Sequence, residues 1–222
     1  MLKTLPNNVE FFINPIDKQH EYQLSTLSDF RFKQTSKMSS KRRLEFFSGR
    51  WCAAQCLKRL QSPSVDVAIA PDRSPIWPLG IIGSISHSDN YAVCIASSNN
   101  HARALGLDLQ SNSSAKLANE LSPIILHPNE FQSFWKENQH PDNTRLFDLI
   151  FSAKETLYKA LYPLCSIFFD HQCAEVIHID WAAGELEIKL LIPLGQVWRK
   201  NECFTIHFST LNNELITSLH IA

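Results

Sequence analysis

The chain has 222 residues, a formal net charge of −1, 44% hydrophobic residues and 19% charged ones. That length fits one large domain or two small ones, and this apolar content with so few charges excludes bulk disorder. Near-neutral charge argues against binding nucleic acid through a broad basic surface, so any basic site must be local.

In chain order, a short strand is predicted at Glu10–Asn14, followed by a basic cluster of Lys37 and Lys41-Arg42-Arg43. That cluster opens a helical pattern ending near Leu60, with Leu44, Phe47, Trp51, Ala54 and Leu57 on its apolar face and Ser39 or Ser40 as cap. A strand at Val65–Ala70 precedes the turn-rich Pro71-Asp72-Arg73-Ser74-Pro75. A hairpin then runs from Gly83–His87 through Ser88-Asp89-Asn90 to a return arm at Tyr91–Ser97. After the polar loop Ser98–Arg103 comes a strand over Leu105–Gln110. Helices are predicted at Ser114–Leu121, Pro128–Trp135 and about Thr144–Leu161, and strands at Val176–Asp180, Glu185–Leu191, Phe204–Ser209 and Leu215–His220. Helices and strands mix without clean βαβ alternation, which makes the fold α+β. The loop near 98–104 is the natural seam, dividing the chain into 1–103 and 104–222.

The six cysteines show no C-x-x-C pair, and Cys52 and Cys56, one helical turn apart, have no matching second pair of ligands. They read as buried thiols of a cytosolic protein rather than a zinc site. The N-terminus lacks the apolar core of a signal peptide, and the aliphatic run Leu190-Leu191-Ile192 ends at Pro193, so no membrane span is expected.

Four stretches carry chemistry. In LGLDLQ, residues 105–110, alternation puts Leu105, Leu107 and Leu109 towards a core and Gly106, Asp108 and Gln110 on the opposite face. Gly106 leaves room for a close approach to the backbone. Asp108 is either a ligand for a hard cation, with the Gln110 amide or a water beside it, or an unremarkable acid on an exposed strand face. In FSAKETLYKAL, Ser152 and Glu155 have capping-box spacing, and Glu155 and Lys159 have the spacing of a surface ion pair. The same spacing lets a carboxylate hold a cation while the lysine neutralises phosphoryl oxygens, with Lys154 as a second cation nearby. In GSISHSDN, His87 stands before a tight turn among Ser84, Ser86 and Ser88, which offer donors to an anion; a strand-end histidine is also commonly structural. In KRRLEFFSGR, Arg42 and Arg50 fall on one helix face, either as a solvated helix end or as a phosphate clamp.

The succession KRRLEFFSGR, DRSPIWPLGIIGSISHS, LGLDLQ and FSAKETLYKAL, spanning about residues 37–163, resembles the 4'-phosphopantetheinyl transferases. The likeness is to the enterobactin synthase component D branch, which activates siderophore and other peptide synthetases such as surfactin synthetase. The resemblance implies two similar α+β halves related by a pseudo-two-fold axis, with the site in the groove between them. The half 1–103 would bind coenzyme A, and 104–222 would hold metal and catalyse. It implies transfer of the phosphopantetheine arm of coenzyme A to a serine of an apo carrier protein, with release of adenosine 3',5'-bisphosphate. Asp108 and Glu155 would hold Mg²⁺. Lys159 and Lys154 would contact phosphates, and Arg42, Arg50, Arg73 and His87, with Ser86 nearby, would take the phosphates or adenine edge of the coenzyme. Gln110 departs from the family, where glutamate is common; its amide oxygen or a water would complete the metal shell.

The mechanism so implied makes Glu155, or a metal-activated water, the acceptor of the serine proton, with Lys159 stabilising developing charge. Three other readings remain: a non-catalytic coenzyme A or nucleotide-binding module, a metal-dependent phosphoesterase, and a docking protein without chemistry. The phosphoesterase would ordinarily need more acids than two. A monomer is expected, because the two halves would form one cleft within a single chain.

Overall fold

The computed structural model describes residues 5–25, 35, 37–132 and 143–222. They divide into two compact units, one running to Leu105 and including Ile221–Ala222, the other spanning Gly106–His220.

The first unit contains β1 (Glu10–Pro15), α1 (Gln19–Ser25), α2 (Ser40–Arg59), the short hairpin β2 (Ala68–Ile69) and β3 (Pro75–Ile76), then β4 (Ile81–His87) and β5 (Tyr91–Ser98). Antiparallel pairing gives the sheet order β1-β5-β4. The central strand is the most apolar: Ala92, Val93, Cys94, Ile95 and Ala96 are fully buried. Small side chains let α2 lie close to it. Cys52, Ala53, Cys56 and Leu57 pack on Ala92, Cys94 and Ala96, and a Cβ at Gly49 would sit 2.9 Å from Ile85 Cγ2. The first turn of α2 is capped as expected, Ser39 Oγ accepting from Arg42 N.

The single apolar stripe expected on α2 is too narrow. The helix buries a second flank, where Phe46, Phe47 and Ala54 pack with Leu24, while Trp51 is only partly buried. Burying a side chain such as Phe47 or Leu57 contributes roughly 1.5–3 kcal/mol. The expected strand at 65–70 pairs only over Ala68–Ile69, because the chain turns at once towards Pro75, which has no N–H to extend the ladder.

In the second unit, β6 (Ala104–Gln110), α3 (Ala115–Ile125) and α4 (Asn143–Cys165) precede β7 (Ala174–Asp180), β8 (Glu185–Leu190), β9 (Cys203–Leu211) and β10 (Glu214–Ile221). The sheet order is β6-β10-β9-β8-β7, antiparallel from β7 to β10. Ser114 caps α3, which continues through Pro123 and past the expected end at Leu121. A single helical turn, Pro128–Glu130, stands where a longer helix was predicted; that prediction falls in part outside the described residues. Each unit thus sets one sheet beside a long helix, the expected α+β class. Among the described residues no helix is long and apolar enough to cross a membrane.

Candidate active site

Strand β6 is buried along almost its whole length, on both faces, so the exposed-face reading of Asp108 fails. The partner of the Gly106 face is the unit's own long helix. A Cβ at Gly106 would lie 2.1 Å from the Thr156 carbonyl oxygen and 3.0 Å from Ala160 Cβ. Glycine therefore lets α4 lie directly on the strand, and that contact brings Asp108 to the helix.

Asp108 is 5% exposed and makes two strong contacts there. Its Oδ1 accepts from Lys159 Nζ at 2.6 Å, and its Oδ2 accepts from Ser152 Oγ at 2.8 Å. Thr217 Oγ1 of β10 lies 2.8 Å from Ser152 Oγ and 2.6 Å from Thr156 Oγ1, closing a buried hydroxyl cluster under the carboxylate. Ser152, Glu155 and Lys159 fall at i, i+3 and i+7 and share one stripe of α4. Asp108 therefore grips the stripe on either side of Glu155 in sequence. Glu155 itself is about one-third exposed and accepts from His171 Nε2 at 2.8 Å.

These contacts correct two local expectations. Ser152 does not begin a helix; it lies in the middle of α4, and its hydroxyl serves Asp108 rather than a cap. Glu155 and Lys159 each pair elsewhere: the lysine holds Asp108 and the glutamate holds His171. Tertiary partners outcompete an intrahelical pair worth only about 0.2–0.5 kcal/mol.

Lys154, also expected at the phosphates, is 2% exposed and pairs with a buried acid. One helical residue of rotation, about 100°, turns it away from the Glu155 stripe. Its ammonium donates to Glu130 Oε2 at 2.6 Å and to the Ile125 carbonyl at 2.9 Å. Glu130 also accepts from the Val176 and His127 amides, each at 2.6 Å. Burial pushes the Glu130 carboxyl up and the Lys154 ammonium down from their ordinary values, the mutual attraction opposing both shifts. Gln110, at the end of β6, donates from Nε2 to the Ser111 carbonyl at 3.0 Å.

The residues of the first unit form a second constellation. A cleft of about 620 Å³ is lined by Lys37, Ser39, Arg42 and Arg73, with Met38, Phe46, Ile69, Ala70 and Pro71 as apolar walls. Arg73 reaches it from the β2–β3 turn, where its φ is 72°. Asp72 Oδ1 fixes that turn by accepting from the amide and hydroxyl of Ser74. Arg42 Nη1 donates to His87 Nε2 at 2.5 Å and to Glu45 Oε2 at 3.3 Å. Arg50 is 7% exposed; its guanidinium lies 4.9 Å from the Phe46 ring centroid and donates to the Ala68 carbonyl. It thus braces the wall and the hairpin that carry Arg42's neighbour Phe46 and Arg73. Ser86 is buried in β4 beside His87.

Sequence reasoning missed Glu45, which ties Arg42 to His87, and His171, which holds Glu155. Glu45 lay in view as an i,i+3 partner of Arg42; for His171 the only local hint was Asp170, whose carboxylate caps a 3-10 turn over His171–Cys173. The cysteines are free, and Cys52 and Cys56 point at the carbonyls of Ala92 and Cys94. Burial pushes the Cys52 thiol well up.

No group of three or more histidine, cysteine or acidic side chains converges among the described residues. The donors that β6 and α4 would offer a metal, Asp108, Glu155 and the Gln110 amide, form an all-oxygen set. It is too small for an all-protein calcium cage, and it suits magnesium, which is usually held by one or two carboxylates together with substrate phosphates. The Asp108 carboxylate already holds a cation, the Lys159 ammonium, which supports that fit.

One α+β unit thus carries a cationic cleft and the other an acid–lysine helix stripe. Residues 31–97 match the family model of the 4'-phosphopantetheinyl transferase N-terminal domain, and 104–218 that of the 4'-phosphopantetheinyl transferase superfamily. Among curated relatives, the 4'-phosphopantetheinyl transferase Npt of Nocardia iowensis is 28% identical over 165 residues, 71% of this chain and 72% of its own. The 4'-phosphopantetheinyl transferase Svp of Streptomyces mobaraensis is 30% identical over 153 residues, 69% and 61% respectively. Enterobactin synthase component D of Escherichia coli K12 is 28% identical over 191 residues, 84% and 81%. The chain belongs to the 4'-phosphopantetheinyl transferase superfamily.

Proposed function

We propose that this protein transfers the 4'-phosphopantetheine arm of coenzyme A to a serine hydroxyl of an apo acyl or peptidyl carrier protein, releasing adenosine 3',5'-bisphosphate. The observation that carries the reading is the buried Asp108 of β6, held against the α4 stripe by Ser152 and Lys159. Asp108 and Glu155 are the proposed magnesium ligands, with Gln110 completing the shell through its amide oxygen or a water. When bound, magnesium neutralises charge on the pyrophosphate oxygens.

The chain's own groups then divide the work. Lys37, Arg42 and Arg73 bring three cations to a cleft with apolar walls, the chemistry needed by a nucleotide with phosphates at its edge. His87 and Glu45 orient the Arg42 guanidinium, and Arg50 supports the cleft wall. Glu155 takes the proton from the carrier serine. The serine oxygen bonds to the β-phosphorus as the bond from that phosphorus to the bridging pyrophosphate oxygen breaks, and the electron pair leaves on adenosine 3',5'-bisphosphate. Lys159 turns from Asp108 to the phosphoryl oxygens and stabilises the charge that develops there. Lys154 is assigned to the scaffold, not to phosphate.

Mass spectrometry tests this directly. A panel of apo carriers incubated with the protein, coenzyme A and Mg²⁺ should gain the mass of one phosphopantetheine, and EDTA should abolish the gain. Failure to load any carrier that another transferase loads under the same conditions would refute the assignment.

A further inference from the structure

His171 lies outside the motifs that carry the family resemblance, yet it makes a side-chain hydrogen bond to the Glu155 carboxylate. Its place is built by its own segment. Phe169 is buried and meets Tyr158 of α4 at a centroid distance of 5.1 Å, pinning the strand-entry segment to the helix. Asp170 then accepts from the Gln172 and Cys173 amides and stops the chain in a 3-10 turn. The turn delivers the His171 ring to α4, where it meets Phe151 at 5.5 Å and Glu155 at 2.8 Å. Phe151 and Glu155 are i and i+4, so a single helix turn offers the ring one apolar and one charged contact. The carboxylate can only accept, so Nε2 carries the hydrogen.

We propose that His171 is a positioning residue for Glu155: its Nε2–H fixes one carboxylate oxygen so that the side chain is held ready for a divalent cation. This rests on the proposed magnesium role of Glu155. A partly exposed glutamate on a helix has freely rotating χ angles, and a ligand so placed loses affinity to its own disorder. Hydrogen bonds from outside the ligand set restrict that freedom, and removing such a bond typically lowers metal affinity about 10–100-fold.

The test separates the hydrogen bond from the packing. His171→Phe keeps an aromatic ring against Phe151 and removes the N–H. His171→Gln discards the ring but places an amide N–H at the reach of Nε2. Manganese affinity is measured by water-proton relaxation on the full chain in the presence of coenzyme A, with thermal melting as the fold control. Expected are a loss of about tenfold or more for His171→Phe at near wild-type melting temperature, and recovery to within about threefold for His171→Gln. A purely structural histidine gives the reverse order. Wild-type affinity in His171→Phe, or equal weakness in His171→Gln, overturns the proposal. Glu155→Gln serves as reference: if it binds manganese as wild type does, the metal role of Glu155 fails and this inference falls with it.

Discussion

Replacing Gly106 by alanine is the sharpest probe of how the site is assembled. The added Cβ would meet the Thr156 carbonyl oxygen at 2.1 Å, whereas ordinary contact begins near 3.4 Å, so strand and helix must part by about 1.3 Å. The obstacle is helix backbone, held by its own hydrogen bonds, and cannot swing aside as a side chain would. Overpacking of this kind costs about 3 kcal/mol, the upper part of the usual range. For a chain of this size that corresponds to a fall of roughly 6–12 °C in Tm. Function should suffer more than stability. Asp108 is two residues along the same strand, and its 2.6 Å contact with Lys159 depends on the same approach. A misplacement of about an ångström lowers turnover by on the order of a hundredfold. Calorimetry and carrier-loading kinetics measure the two effects. A Gly106→Ala protein that melts within a degree or two of wild type and loads its carrier normally would refute the close-contact account of the site.

Glu155→Gln preserves shape while removing charge and basicity, and should lower the carrier-loading rate by on the order of a hundredfold or more, measured as kcat. Glu130→Ala leaves the Lys154 ammonium buried without its counter-charge and should destabilise by about 3–5 kcal/mol in urea unfolding; the double variant Glu130→Leu with Lys154→Met should regain most of that. Burial holds His20 below its ordinary value, with Asp17 pulling weakly the other way. Its ring is fixed between Ser48 and the Asn14 amide group. As pH falls, the unfolded chain therefore takes up this proton first, so the contribution is complete above pH 6.5 and is lost as pH drops below it. His20→Gln should flatten the decline of Tm on that acid side.

Much of this was legible in the sequence because burial and period agree. The β4–β5 hairpin, β6 and the two long helices carry clear repeats of two or 3.6 residues, and their limits fall within a few residues of expectation. Gly106 announced a close approach to its strand, although no local pattern could say that the approaching group was Thr156, fifty residues on. Ser152 shows the limit of local rules. Its spacing from Glu155 imitates a helix start, and only the fold reveals that its hydroxyl belongs to Asp108. Lys154 and Lys159 look alike as members of one basic stretch, but helical rotation sends one inward and the other to the carboxylate. Arg42 and Arg73 were both visible as cations; that they share a cleft follows from the β2–β3 turn, whose closure depends on a left-handed arginine. His171 was invisible because its importance comes from a segment that returns to α4 after the helix has ended.

Two neighbouring positions on α4 divide their duties like a keel and a rudder. Lys154 is moored to Glu130 in the interior, and the next residue, Glu155, stands at the half-open side. Orientation at the proposed metal ligand is thus inherited from a buried anchorage one residue away. A genetic screen for inactive alleles should accordingly return substitutions at Glu130, at a depth where inspection of the reacting groups alone would never place them.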